Sequence, residues 1–147
     1  MFTRTQLDGA NAIRRCALDL IARREHSRRE MQRKLHQRGA DKTETEAVLD
    51  RLEEQGLLSD ERFCEAYIHA RHQRGIGPLR LREELRQRGI RDNLIERMLL
   101  SSQCDWSALA NEVFSKRFPE GPASDLAERG KQQRFMQYRG FTGLPDD

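Results

Sequence analysis

The sequence predicts an all-α protein of three tandem three-helix repeats forming an elongated, curved helical array. Three observations lead there. No segment combines two-residue apolar alternation with hairpin turn signals, so strands are not indicated. The chain repeats itself: Leu35-His36-Gln37-Arg38-Gly39-Ala40 returns fifty positions later as Leu85-Arg86-Gln87-Arg88-Gly89-Ile90, and a weaker copy follows at Met136-Gln137-Tyr138-Arg139-Gly140-Phe141. Apolar positions also match at the same offset: Met31 with Leu81, Val48 with Met98, Leu49 with Leu99. Finally, 36% of the 147 residues are hydrophobic and 35% charged, against about 45–50% and about 25% in ordinary globular domains. A thin core under a heavily charged surface suits stacked helical units, each contacting mainly its neighbours.

The elements follow in order. Residues 1–10 read as an N-terminal tail, 11–58 as the first repeat, 59–102 as the second, and 103–147 as the third with a frayed C-terminal tail. In the first repeat a helix covers Asn11 to Arg24. Ser27 then acts as N-cap, with Glu30 three residues on completing a capping box. Met31 and Leu35 share a face, and Arg38-Gly39 ends that helix, glycine supplying the left-handed closing residue. Asp41 with Glu44 makes a second capping box, and Val48, Leu49 and Leu52 form an apolar stripe closed by Gly56. The second repeat opens at Ser59-Asp60-Glu61, where acids suit the helix dipole. Phe63, Ala66, Tyr67 and Ala70 follow at helical spacing, and Pro78 opens the next helix after Gly77. The third begins near Asp105-Trp106. The loop Pro119 to Ser124 divides its first helix from the rest, and the chain frays after Gly140.

Charge alternates in blocks. From Asn11 to Arg38 nine basic residues face three acids. From Asp41 to Glu65 nine acids face three bases, and from Arg71 to Arg91 seven arginines face two acids. The net of +3 hides this, and arginine supplies 23 of the 27 positive charges. A basic block can neutralise phosphates. Aromatic residues that would stack on unpaired bases are missing from these blocks, so any nucleic-acid contact is expected at the backbone.

Other chemistry is not indicated. No stretch reaches the roughly 20 apolar residues of a membrane span, and Met1 to Leu20 lacks the apolar segment of a signal peptide. Cys16, Cys64 and Cys104 are far apart and form no CxxC, so neither a disulfide framework nor a zinc site is expected. His69 and His72 could share a helix face, but no further ligand completes a site. Gly75-Ile76-Gly77 follows a helix rather than a strand and lacks a third glycine, so it reads as a turn. Ser27 and Ser59 read as caps rather than nucleophiles. No enzyme, metal or cofactor is expected.

The run Leu57-Leu58-Ser59-Asp60-Glu61-Arg62-Phe63-Cys64-Glu65-Ala66-Tyr67 resembles the signature of the bacterial RecX regulatory family. The resemblance continues through Ile68-His69-Ala70-Arg71, Arg74-Gly75-Ile76-Gly77-Pro78-Leu79-Arg80-Leu81, Glu84-Leu85 and Arg88-Gly89-Ile90. It extends over Ala17 to Leu58, where Ser27-Arg28-Arg29-Glu30 and Leu35 through Gly39 fit, and more loosely from Asp105 to Phe141. Cys64 and His69 depart from the family's usual residues. The resemblance implies an all-helical cytoplasmic protein without catalytic activity or cofactor. It further implies a negative modulator of the RecA recombinase in recombination, DNA repair and the SOS response. Such a protein binds RecA and its nucleoprotein filament, impedes filament growth, ATP hydrolysis and strand exchange, and has some DNA affinity. A monomer is expected.

Within the matching segments Phe63, Tyr67, Leu81 and Leu85 read as core. The exposed charges Arg28, Arg29, Arg33, Arg74, Arg80, Arg82 and Arg86 are the candidates for contact with partner or DNA, while Asp60 and Glu61 read as caps. The alternative is an independent DNA-binding helical module acting through phosphate contacts. Ser27 to Leu52 superficially resembles a helix-turn-helix, but the second helix, Thr43 to Glu54, carries five acids against Arg51, which is unfit for the major groove.

Overall fold

The computed structural model describes residues 7–145. Eight helices occur among them: α1 (Gly9–Arg23), α2 (Arg28–Gln37), α3 (Lys42–Glu54), α4 (Asp60–Gln73), α5 (Pro78–Gln87), α6 (Asp92–Ser101), α7 (Trp106–Arg117) and α8 (Leu126–Tyr138). No strand occurs among the described residues. The expected N-terminal tail lies outside the described residues up to position 6. Helix α1 then begins two residues earlier than expected, and Leu7 packs on the core. The chain divides into one unit of residues 7–64 with Arg88–Ile90, and another of Glu65–Gln87 with residues 91–145.

In the first unit Ser27 closes the expected capping box: its side chain accepts from the Glu30 N–H, and the Glu30 carboxylate accepts from the Ser27 N–H. At Asp41 only the forward bond forms, from Glu44 N–H at 2.9 Å. Ile13, Ala17 and Leu20 of α1 pack with Met31 and Leu35 of α2, Val48, Leu49 and Leu52 of α3, and Leu58. Each Ile, Leu, Val or Met side chain among them contributes about 1.5–3 kcal/mol when fully buried. Thr45 is also buried, its hydroxyl donating to the Asp41 carbonyl at 2.7 Å.

The offset of fifty survives into three dimensions. Thr45, Val48 and Leu49 are buried on α3, and Ile95, Met98 and Leu99 are buried on α6. Gln32 on α2 donates to Glu46 on α3, and the equivalent Arg82 on α5 donates to Glu96 on α6 at 2.6 and 3.0 Å. Arg-Gly turns follow α2, α5 and α8, with Gly39, Gly89 and Gly140 at φ 89°, 84° and 99°. That conformation strains any residue bearing a Cβ.

Tyr67 departs from its expected place in the core. On α4 the buried residues are Phe63, Cys64 and Ile68, while Ala66 and Ala70 are exposed and Tyr67 is half-buried. The larger side chains take the inner face, since two methyl groups cover too little area to compete. In the third repeat only α7 and α8 are helical among the described residues. Their core is Leu109, Ala110, Phe114 and Met136 with Phe141, and Leu144 packs against it. The chain is therefore held at Phe141 and Leu144, beyond the Gly140 where fraying was expected to start; its last two residues lie outside those described. Gly143 and Pro145 in this segment oppose a further helix.

Candidate functional site

The seven candidate arginines separate into two groups. Arg28 is tied down: its guanidinium meets Glu46 at 3.2 Å, Asp50 at 2.9 Å and also Glu53, all on α3. Its backbone N–H donates at 2.8 Å to Asp60. Asp60 therefore caps a helix, as expected, but the helix is α2 rather than its own. Ser59 caps α4, accepting from the Arg62 N–H. Desolvation would lower the Arg28 pKa, and the three carboxylates together raise it.

Arg80, Arg82 and Arg86 are also engaged. Arg80 donates to Glu84 at 3.0 Å and lies 4.9 Å from the Tyr138 ring centre. Arg82 grips Glu96 through two nitrogens, and Arg86 meets Asp92 at 2.7 Å. Glu84 collects three donors: Tyr67 Oη at 2.9 Å, Arg71 through two nitrogens at 2.9 Å, and Arg80. Burial alone would raise the Glu84 pKa, but the bonds from Arg71, Tyr67 and Arg80 carry it below its ordinary value.

Arg29, Arg33 and Arg74 are exposed and have no acidic partner among the described residues. Arg29 and Arg33 flank a shallow depression on α2 with Gln32 and His36. Arg74 lines a cleft of about 510 Å³ in the second unit, with Lys116 and Arg117 from α7 and Arg139 after α8. Sequence reasoning missed this convergence, because Lys116, Arg117 and Arg139 stand outside the basic runs. The recurring Arg-Gly pair at Arg139-Gly140 was the available signal.

His72 sits edge-on to Trp106 at 5.5 Å, and His69 is exposed. Among the described residues no group of three or more His, Cys, Asp or Glu is placed to hold a metal ion. No described helix is long and apolar enough to cross a membrane. The acidic face of α3 is occupied by Arg28, so the α2–α3 pair offers no cationic second helix to a DNA groove.

Comparison with known proteins agrees with the repeat. Models of the first, second and third three-helix domains of RecX match residues 14–52, 59–99 and 105–143. The regulatory protein RecX of Pseudomonas entomophila (strain L48) is 48% identical over 136 residues, covering 92% of this chain and 88% of its own. That of Halorhodospira halophila (strain DSM 244 / SL1) is 45% identical over 133 residues, covering 90% and 83%. A crystal structure of regulatory protein RecX superposes with a TM-score of 0.74 at 22% identity, covering 90% of this chain and 68% of the other. That of RecX from Lactobacillus salivarius gives 0.71 at 20% identity, covering 90% and 88%. The structures share the fold, and the sequence matches carry the kinship: this chain belongs to the RecX family of regulatory proteins.

Proposed function

We propose that the protein is a negative modulator of the RecA recombinase. It binds RecA and its nucleoprotein filament and limits filament extension, ATP hydrolysis and strand exchange during recombination and DNA repair. It works in the cytoplasm by binding, without catalysis or a cofactor of its own. The observation that carries this reading is the match of all three family domains along one chain, residues 14 to 143. Several small cationic surfaces on one chain can each make a weak contact, and linked weak contacts add as avidity. Inhibition follows if the bound form favours a filament state that neither hydrolyses ATP nor adds protomers.

The test is RecA ATP hydrolysis on single-stranded DNA, titrated with this protein, beside bare-DNA binding at the same salt. Inhibition is expected at concentrations where bare DNA is hardly bound. Inhibition that begins only once bare DNA is saturated would mean competition for DNA, and would overturn the reading.

A further inference from the structure

We propose that the cleft of the second unit is a docking site for an acidic segment of another protein, anchored by aliphatic or aromatic side chains. The cleft is walled by His72 to Gly75 at the end of α4, by α7, and by Phe135 and Arg139 at the end of α8. Four cations line it, Arg74, Lys116, Arg117 and Arg139, against the single carboxylate Glu112. Arg74 and Lys116 are exposed and have no acidic partner among the described residues. Three helices end here, each with roughly half a negative charge at its C-terminus. Those partial charges account for fewer than two cations, so an excess remains to attract an anion.

The lining favours a peptide over a nucleic acid. Leu109, Val113 and Phe135 supply apolar wall. The Phe135 ring already carries the guanidiniums of Arg117 and Arg139, 5.5 and 5.1 Å from its centre. A nucleobase would have to compete with them for the ring, whereas a Leu or Phe anchor needs only the aliphatic wall. Guanidiniums suit carboxylates as two-pronged donors, as Arg82 and Glu96 illustrate on this chain.

The probe is a short fluorescein-labelled peptide alternating Asp or Glu with Leu or Phe. Its Asn/Gln counterpart and a labelled oligothymidylate serve as comparisons, all with the full chain and no recombinase, so that the outcome is separate from the RecA reading. The acidic peptide should bind, and the amide counterpart should bind about tenfold more weakly. Arg74→Gln combined with Lys116→Gln should weaken the acidic peptide by about tenfold, while Lys42→Gln on α3 leaves it unchanged. The unsubstituted chain gives a second readout, because Trp106, its one tryptophan, touches His72 of the cleft wall. Peptide at saturation should change the Trp106 emission. Equal binding of the amide peptide, indifference to the double substitution, an unchanged Trp106 signal, or preferential binding of the oligothymidylate at the cleft would each overturn the proposal.

Discussion

Gly77 and Gly140 exclude each other's side chains. A Cβ on Gly77 would stand 2.6 Å from the Gly140 carbonyl oxygen, and one on Gly140 would stand 2.8 Å from the Gly77 oxygen. Around them the Gly77 N–H donates to the Arg139 carbonyl at 2.7 Å, and the Leu79 N–H to that of Gly140 at 3.0 Å. The corresponding joint of the first unit uses a side chain, with Ser27 Oγ donating to the Arg88 carbonyl at 2.8 Å. Gly77→Ala sets a methyl group against backbone, which cannot swing aside. We expect a loss of about 1–3 kcal/mol, read by urea denaturation. An unchanged midpoint would mean that the joint opens without cost.

The two classes of arginine should respond differently. Arg28→Ala leaves Glu46, Asp50 and Glu53 without their shared cation and should lower the melting temperature. Arg29→Glu with Arg33→Glu removes no ion pair seen here, so melting should hold. Inhibition of RecA ATP hydrolysis should then fall if α2 faces the filament. Calorimetry beside the ATPase titration separates the two, and a melting loss in the Arg29/Arg33 variant equal to that of Arg28→Ala would show that all three are structural.

Acidification should act through His26. Its ring is buried, with Nδ1 3.0 Å from the Arg24 carbonyl and Nε2 2.8 Å from Lys34 Nζ. Nδ1 therefore donates while Nε2 accepts from the ammonium, and the ring is neutral. Burial, reinforced by Arg24 and Lys34, holds its pKa below 6.5 despite the carbonyl bond. The unfolded chain takes up this proton first, so the contribution is whole above pH 6.5 and declines below it. His26→Asn should flatten the dependence of stability on pH between about 7 and 5. A parent and variant with parallel curves would remove His26 from that role.

Thiol labelling should distinguish the cysteines. Cys64 is buried, and burial with Asp60 and Glu61 nearby pushes its pKa up to about 12. Cys16 and Cys104 are half-buried. In native protein at pH 8 a bulky disulfide reagent should modify these two and reach Cys64 only on unfolding. Rapid release of three equivalents from folded protein would contradict the packing of α4.

The repeat, the caps and the closing glycines were legible because they rest on local chemistry that a short window contains. The engagement of Arg28 was not: its partners Glu46, Asp50 and Glu53 are recognisable only once α3 is known to lie along α2. Asp60 is similar, for an acid at the start of one helix reads as its own cap until another helix end is brought to it. On α4 the spacing of Phe63, Ala66, Tyr67 and Ala70 was genuine helical periodicity, but periodicity does not rank faces. Ile68 and Cys64 took the inner one.

At matching positions α2 and α5 carry opposite charges: Glu30 against Arg80, Arg33 against Glu83, Lys34 against Glu84. The hydrophobic positions are interchangeable, Met31 for Leu81 and Leu35 for Leu85, but the polar surroundings are not. An α2 sequence standing in the place of α5 would set Lys34 where Glu84 receives Arg71, bringing two cations together at a site that holds a carboxylate at 15% exposure. Tandem repeats risk pairing one unit out as they fold. Here α2 standing in the place of α5 meets like-charge repulsion, so charge tells apart two helices whose apolar faces are alike.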